Sequence, residues 1–223
     1  MENSVKSRDW KQVLGQAIKA VSLGREVLLN YFGNLEHVEE KFQAGLVSEA
    51  DKESERVIAE HLRKNFPEIE FLGEETFAAS HGTGTKVAWK PAGPHGRWIL
   101  DPLDGTTEFV QRRGDFTVNI AYVEHGVPLR GVVYAPAQDR LFYTLPDGTS
   151  VEETGAFDHD IVGTLHPLSV AKPDNAALRV VASKSHRDAA TDDYIGKYAV
   201  ADMKSAGSSL KFCLLATGEA DLY

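Results

Sequence analysis

Six consecutive residues, Asp101-Pro102-Leu103-Asp104-Gly105-Thr106, have residue types and a spacing that could do chemistry. They follow the apolar run Trp98-Ile99-Leu100, which predicts the end of a buried strand. On that extended segment we expect both carboxylates to point to the same side. Pro102 removes a backbone donor and fixes φ, so the Leu103 carbonyl oxygen can lie between the two acidic side chains.

The end of this segment predicts a place for an anion. Gly105 permits a sharp turn, and Thr106-Thr107-Glu108 indicates a helix start, whose free N–H groups attract anions. Hard oxygen ligands beside such a helix end suit Mg²⁺ together with a phosphate. The alternative interpretation is that Asp-Pro and Asp-Gly only form a turn after a strand.

Two further acidic elements lie upstream of this segment. Phe71-Leu72-Gly73-Glu74-Glu75 leads from apolar residues into paired glutamates, which are otherwise typical of a strand end that runs into a solvated loop. Leu46-Val47-Ser48-Glu49-Ala50-Asp51 places Asp51 where we predict a helix to begin, and Ser48 and Asp51 have the spacing of a capping box. Taken alone, each of the two elements can be explained by local structure, as a strand end with a loop or as a helix cap. It is their order along the chain that favours a functional interpretation.

Hydrophobic periodicity predicts a mixed α/β organisation around these motifs. Apolar residues at helical spacing predict a long amphipathic helix over residues 8 to 32 and a second helix that follows Asp51 and closes at Pro67. A last helix is predicted over 210–217, ended by Gly218. Strands are predicted over 117–123, 129–135, 141–145 and 180–182.

The segment from 78 to 97 breaks this pattern. It is rich in Gly and Pro and too punctuated for a helix or a central strand. It is either a mobile loop over the site or an exposed loop without a catalytic part. Its Gly82-Thr83-Gly84 does not predict a dinucleotide loop, because the βαβ context is missing.

Composition and charge agree with a soluble enzyme and restrict its partners. Hydrophobic residues make up 42% and charged residues 26% of the 223 residues, which is ordinary for a globular protein. A net charge of −9 without a basic run argues against a nucleic-acid polymer as partner, whereas a small phosphorylated ligand is compatible with bound Mg²⁺. Cys213 stands alone and is interpreted as core packing in a reducing compartment.

The same sequence predicts a cytoplasmic protein. It shows no signal peptide and no apolar stretch near the ~20 residues of a membrane span, although peripheral association with a membrane stays open. A monomer and a homodimer are both compatible with it.

In order along the chain, Ser48-Glu49-Ala50-Asp51, Gly73-Glu74-Glu75 and the segment 101–106 resemble one family. It is the lithium-sensitive, Mg²⁺-dependent phosphatases typified by inositol monophosphatase. Within that superfamily the chain most resembles the CysQ-type 3′(2′),5′-bisphosphate nucleotidases of sulfur metabolism. The closer resemblance is carried by residues 101–109, 113–121, 131–136, 183–186 and 207–212. It runs from about residue 10 to the end and is weakest over 78–96 and 147–165.

The resemblance implies an α/β (α+β) fold, a layered αβαβα sandwich, with two or three Mg²⁺ ions. Asp51 would polarise the hydroxyl of Thr106, which orients the attacking water. The backbone N–H groups of Gly105 and Thr106 would bind the phosphate. The ions would be held by Glu74, Asp101, Asp104 and the Leu103 carbonyl, with Glu75 at a third, weaker ion.

The substrate is implied by the same resemblance. Four residues align with nucleotide contacts: Ser183, His186, Gly207 and Lys211. Lys211, near a helix N-terminus, could bind a second phosphate, or be a solvated helix residue; His186 could bind ribose or phosphate, or form a loop turn. The implied reaction removes the 3′-phosphate of adenosine 3′,5′-bisphosphate or of its 5′-phosphosulfate. The alternatives are an inositol monophosphatase and an inactive relative that acts as a binding protein.

The resemblance also sets expectations for the chain's organisation. Residues 1–145 are expected to form an α+β region with the metal site, and 146–223 to begin a substrate-side α/β region, unless both form one continuous domain. Family members continue past the segment that ends at Tyr223 and present a further metal-binding Asp. We therefore expect a tail beyond Tyr223 in the natural protein, and weak activity in the 223-residue chain as written.

Overall fold

The described parts of the chain contain two long helices, four short helices, a large sheet and a small sheet. The computed structural model describes residues 8–34, 40–82, 92–155, 162–183 and 187–223. Its helices are α1 (Trp10–Asn34), α2 (Glu40–Asn65), α3 (Glu74–His81), α4 (Thr106–Val110), α5 (Ala189–Ile195) and α6 (Leu210–Ala216). Its strands are β1 (Glu70–Gly73), β2 (Arg97–Asp104), β3 (Thr117–Glu124), β4 (Val127–Ala135), β5 (Arg140–Thr144), β6 (Ser150–Thr154), β7 (Thr164–Pro167), β8 (Leu178–Ser183) and β9 (Val200–Ala206).

The helices α1 and α2 pack against each other through apolar faces. The buried residues of α1 include Val13, Ala17, Val21 and Leu28, which recur at the spacing of one helix face. At Gly24, an added Cβ would lie 2.7 Å from Ile58 Cδ1 of α2, so the glycine lets the two helices approach closely. The predicted helix over residues 8–32 is confirmed.

The start of α2 differs from the prediction. The helix begins at Glu40, so Asp51 lies well inside it and the predicted cap at Ser48 and Asp51 is wrong. The reason is tertiary packing: Val47, Ala50, Ser54 and Ile58 are all buried and form one continuous helical stripe. A stripe buried against the rest of the protein outweighs a local capping signal. The predicted helix end before Pro67 is confirmed.

The large sheet has seven strands in the order β1 to β7. Strand β1 pairs parallel with β2, and the other five pairs are antiparallel. The predicted strands over 117–123, 129–135 and 141–145 correspond to β3, β4 and β5 and are confirmed. The sheet buries Trp98, Leu100 and Tyr122 in the same core as the faces of α1 and α2.

The small sheet consists of the parallel strands β8 and β9. It confirms the predicted strand over 180–182, and α6 confirms the helix over 210–217, with Gly218 at φ +76° just beyond it. Cys213 is buried in a second core with Leu210 and Leu214, as predicted. Five of the described elements were not predicted: α3, β6, β7, α5 and β9.

The remaining predictions concern the segment 78–97, membrane-spanning helices and the division into domains. Residues 78–81 belong to α3, so the statement that 78–97 cannot be helical is wrong at its start, whereas 83–91 lie outside the described residues. No helix in the described ranges is both long and apolar enough to cross a membrane. The division into 1–145 and 146–223 stays a prediction.

Candidate active site

The two aspartates of the central motif lie at the end of β2, where its pairing with β3 is irregular. Asp101 is opposite Asn119 and Asp104 opposite Thr117, and the register shifts between these two pairs. In a regular strand, side chains three positions apart point to opposite faces. Our prediction that an extended segment alone puts both aspartates on the same side is therefore wrong in its reason. The shift accounts for the observed result: both aspartates are half-buried, and the charge of Asp104 helps to raise the pKa of Asp101.

The turn after β2 is held by short-range hydrogen bonds. The Leu103 N–H donates to Asp101 Oδ1 at 3.2 Å, and Thr106 Oγ1 donates to the Leu103 carbonyl at 3.4 Å. Gly105 has φ +94°, and an added Cβ would lie 3.0 Å from the Asp115 carbonyl, so both conformation and space require glycine there. The predicted helix start at Thr106 is confirmed by α4.

The paired glutamates begin a helix. Glu74 and Glu75 are the first residues of α3 and directly follow the end of β1, so the strand end in the alternative interpretation is confirmed and its solvated loop is wrong. Because β1 pairs parallel with β2 and Gly73 lies opposite Leu100, the chain brings Glu74 next to Asp101. The charge of Glu74 and its hydrogen bond both raise the pKa of Asp101.

Asp51 faces these acids from α2. Burial, and then the charges of Glu75, Asp101 and Glu74, raise the pKa of Asp51 to about 8. Burial and the charges of Glu74 and Asp104 likewise raise the pKa of Asp101 to about 8. Asp51 Oδ1 is buried and has no hydrogen-bond partner among the described residues. We call Asp51, Glu74, Glu75, Asp101 and Asp104 the acidic cluster.

The acidic cluster has the donor chemistry of a Mg²⁺ site. Its ligands would all be oxygens, including the Leu103 carbonyl, and burial with mutual repulsion makes a positive charge favourable there. Within the described ranges none of the five acids forms an ion pair. Among the same residues, no three His, Cys, Asp or Glu side chains are arranged to hold a metal as they stand. The residues fit the ion by type and charge, and their side chains would have to close around it.

A cavity of about 480 Å³ adjoins the acidic cluster at Asp104. It is lined by five of the predicted phosphate- and substrate-binding residues: Gly105, Thr106, Ser183, Gly207 and Lys211. His186 lies outside the described residues. The structure therefore brings together residues from β2, α4, β8 and the start of α6 that are far apart in sequence.

Lys211 is buried beside this cavity. Its Nζ donates to the Ser208 carbonyl at 2.7 Å, and only 6% of the residue is exposed, so the alternative of a solvated helix residue is wrong. Burial lowers the pKa of Lys211, while the charges of Asp104, Glu108 and Asp115 oppose that change. A buried lysine thus lines the cavity next to the central motif.

Two residues with evident roles were missed from the sequence. The Ser209 N–H donates to Asp104 Oδ2 at 2.5 Å, and Ser209 Oγ donates to Asn119 Oδ1 at 2.7 Å, so Ser209 fixes α6 to the central motif. Glu55 lies on α2 one helical turn after Asp51 and contacts the start of α3. The helical spacing from Asp51 was the one signal that pointed to Glu55.

Comparison with known proteins identifies the family. The model of the inositol monophosphatase family matches residues 9–223. The chain belongs to this family. Its predicted resemblance, including that to the CysQ-type nucleotidases, is confirmed.

Individual relatives agree with this assignment. The 3′(2′),5′-bisphosphate nucleotidase CysQ of Escherichia coli (strain K12) is 38% identical over 177 residues, which are 79% of this chain and 65% of that protein. An inositol monophosphatase of Mesembryanthemum crystallinum is 35% identical over 218 residues, covering 94% of this chain and 74% of that protein. This chain therefore spans less than two thirds of the length of the E. coli relative.

A solved structure confirms the fold class. CysQ from Bacteroides thetaiotaomicron, a bacterial member of the inositol monophosphatase family, superposes with a TM-score of 0.74 at 27% identity. The match covers 96% of this chain and 79% of that one. The predicted α/β (α+β) layered fold is thus the fold of this chain.

Proposed function

We propose that the protein is a Mg²⁺-dependent phosphomonoesterase that removes the 3′-phosphate of adenosine 3′,5′-bisphosphate or of its 5′-phosphosulfate. The observation that carries the proposal is the cavity that is lined both by Asp104 of the acidic cluster and by the buried Lys211. Its volume of about 480 Å³ is in the range of small-molecule sites. The relatives named as bisphosphate nucleotidases support this choice of substrate.

The metal would be held by oxygens at the edge of the large sheet. Glu74, Asp101, Asp104 and the Leu103 carbonyl would be its ligands, with Glu75 at a weaker position. Bound Mg²⁺ lowers the pKa of a water molecule and neutralises developing negative charge on phosphoryl oxygens.

The remaining residues would bind the phosphate and orient the water. Gly105 and Thr106 line the cavity, and their N–H groups would donate to the phosphate. Thr106 Oγ1 donates to the Leu103 carbonyl in this structure, and in the proposed mechanism it would donate instead to Asp51, whose buried Oδ1 has no partner among the described residues. The Thr106 oxygen could then accept a hydrogen bond from the attacking water.

The second phosphate distinguishes this substrate from a monophosphate. Lys211 and Ser183 both line the cavity, and either could contact a second anionic group. Lys211→Ala should raise KM for the bisphosphate by the equivalent of about 1.5–3 kcal/mol, the value of one charge-assisted hydrogen bond, and matter less for a monophosphate. Equal losses on both substrates would assign Lys211 to the fold.

The test is a comparison of two substrates with the natural full-length protein. Phosphate release from adenosine 3′,5′-bisphosphate and from inositol 1-phosphate is measured with Mg²⁺, and with EDTA as the control. We expect the higher kcat/KM for the bisphosphate and no turnover in EDTA. A higher kcat/KM for the inositol ester would overturn the nucleotidase assignment.

The second candidate is an inositol monophosphatase. The relative from Mesembryanthemum crystallinum, which matches 94% of this chain at 35% identity, favours it. This activity would use the same acidic cluster and would not need Lys211. Binding of either phosphate ester without any release of phosphate would instead indicate an inactive binding protein.

A further inference from the structure

Glu55 is a buried acid that touches the start of α3 from the neighbouring helix α2. It is 3% exposed. Its Oε2 accepts a hydrogen bond from the Glu75 N–H at 2.7 Å, and its Oε1 accepts one from the Thr76 N–H at 2.8 Å. The Thr76 hydroxyl also donates to Oε1. Both oxygens of Glu55 are thus occupied by groups of α3.

These bonds replace a cap that α3 itself lacks. The residue before the helix, Gly73, makes no side-chain capping bond, so the first N–H groups of α3 need acceptors from elsewhere. A carboxylate is the favoured acceptor at this end of a helix, because the helix dipole attracts negative charge. Glu55 supplies it from α2, the helix that also carries Asp51.

The same contact explains why residue 73 is a glycine. Its backbone angles, φ −104° and ψ 150°, are open to any residue, so conformation does not require glycine. An added Cβ, however, would lie 2.4 Å from Cδ and Oε2 of Glu55. Glycine at this position leaves the space that the Glu55 carboxylate occupies.

We infer that Glu55 is a positioning residue that holds Glu74 and Glu75 in place for cation binding. Through it, α2 fixes Asp51 and the start of α3 as one unit, and Glu55 acts through the hydrogen bonds that its oxygens accept from α3. The inference rests on the proposed Mg²⁺ site. It does not depend on which phosphate ester is hydrolysed.

The test is a calorimetric Mg²⁺ titration of the protein and its Glu55→Gln variant. Residues that orient metal ligands typically contribute roughly 10- to 100-fold to metal affinity, and we expect a loss of that size. Glu53→Gln is the matched control, because it removes the same charge from the same helix at a residue paired with Arg56. The control should bind Mg²⁺ like the wild type.

Two further measurements separate positioning from a general loss of folding. Amide hydrogen exchange should accelerate at Glu75 and Thr76 in Glu55→Gln, while the core amides of β3 stay protected. The milder Thr76→Val variant, which removes one donor to Glu55, should weaken Mg²⁺ binding in the same direction and to a smaller extent. Gly73→Ala should add little to Glu55→Gln, since both changes disrupt one contact.

Unchanged Mg²⁺ affinity in both Glu55→Gln and Thr76→Val would overturn the inference, as would a wild-type protein that binds no Mg²⁺. The proposed function and the role of Glu55 can be refuted separately. A protein that binds Mg²⁺ in a Glu55-dependent way and hydrolyses neither ester would refute the phosphatase and leave the role of Glu55 intact.

Discussion

Two carboxylate-rich regions of this molecule differ in whether the chain itself supplies the opposite charge. In the first, the acidic cluster, burial and mutual repulsion raise the pKa of both Asp51 and Asp101. In the second, Arg140 donates to Glu152 at 2.6 Å and to Glu219 at 2.6 Å. We call Arg140, Glu152 and Glu219 the arginine-paired region. Burial there opposes ionisation of Glu219, yet hydrogen bonds from Arg140 and Thr217 hold its pKa below the ordinary value.

The difference separates a structural group of acids from a candidate cation site. In the arginine-paired region the positive partner is permanent, so the carboxylates stabilise the fold as it stands. In the acidic cluster, the carboxylates repel one another, and this repulsion lowers the stability of the folded protein until a cation binds. Changes in the first region should therefore affect stability, and changes in the second should affect cation binding and turnover.

The largest expected effect is on turnover in the acidic cluster. Asp104→Asn removes a charge that we propose contacts the metal, and kcat of the full-length protein should fall by roughly 100-fold or more. Phosphate release at saturating substrate measures it. An Asp104→Asn variant with near-normal kcat would remove the distinction between the two regions.

The arginine-paired region should show the opposite pattern. Glu152→Gln weakens the contact with Arg140, and the free energy of unfolding should fall by about 1.5–3 kcal/mol, while kcat stays unchanged. The control is Glu60→Gln, which disrupts an exposed pair with Arg56 and should lower the free energy of unfolding much less than Glu152→Gln does. Denaturant unfolding compares the two variants. A loss of turnover without a loss of stability in Glu152→Gln would contradict the comparison.

The smallest expected effect is a gain in stability. Asp51→Asn removes an acid whose ionised form is disfavoured by burial and by the charges of Glu75 and Asp101, and whose Oδ1 has no partner among the described residues. In EDTA the variant should be more stable than the wild type by about 0.5–2 kcal/mol, as is common where activity and stability conflict. Thermal unfolding measures it. A lower Tm for Asp51→Asn in EDTA would show that this carboxylate supports the metal-free fold.

The sequence predicts much of the candidate site because its main motif is contiguous. Asp101, Asp104, Gly105 and Thr106 lie on one strand end and turn, where local rules apply. The contact between Glu55 and the start of α3 could not be predicted, because it joins two helices through tertiary packing. The hydrogen bond from Ser209 to Asp104 joins residues that are 105 positions apart in the sequence, and it was missed for the same reason.

The fold shows the same division between local and tertiary information. Long periodic segments such as α1 and β3 were predicted nearly to their ends. β7 and β9 escaped prediction because their residues are mostly exposed and carry little apolar alternation. α3 escaped because its cap comes from Glu55 and its own sequence shows little amphipathic pattern. Elements that are stabilised by contacts with residues distant in sequence cannot be recognised from their own sequence pattern.

The central claim is that the acidic cluster binds a divalent cation and the arginine-paired region does not. The most direct measurement is Mg²⁺ binding by calorimetry to the wild-type protein, to Asp101→Asn and to Glu152→Gln. We predict that the wild type and Glu152→Gln bind Mg²⁺ with equal affinity and that Asp101→Asn binds it at least about 10-fold more weakly. Equal Mg²⁺ affinity in all three proteins, or no Mg²⁺ binding by the wild type, would contradict the account.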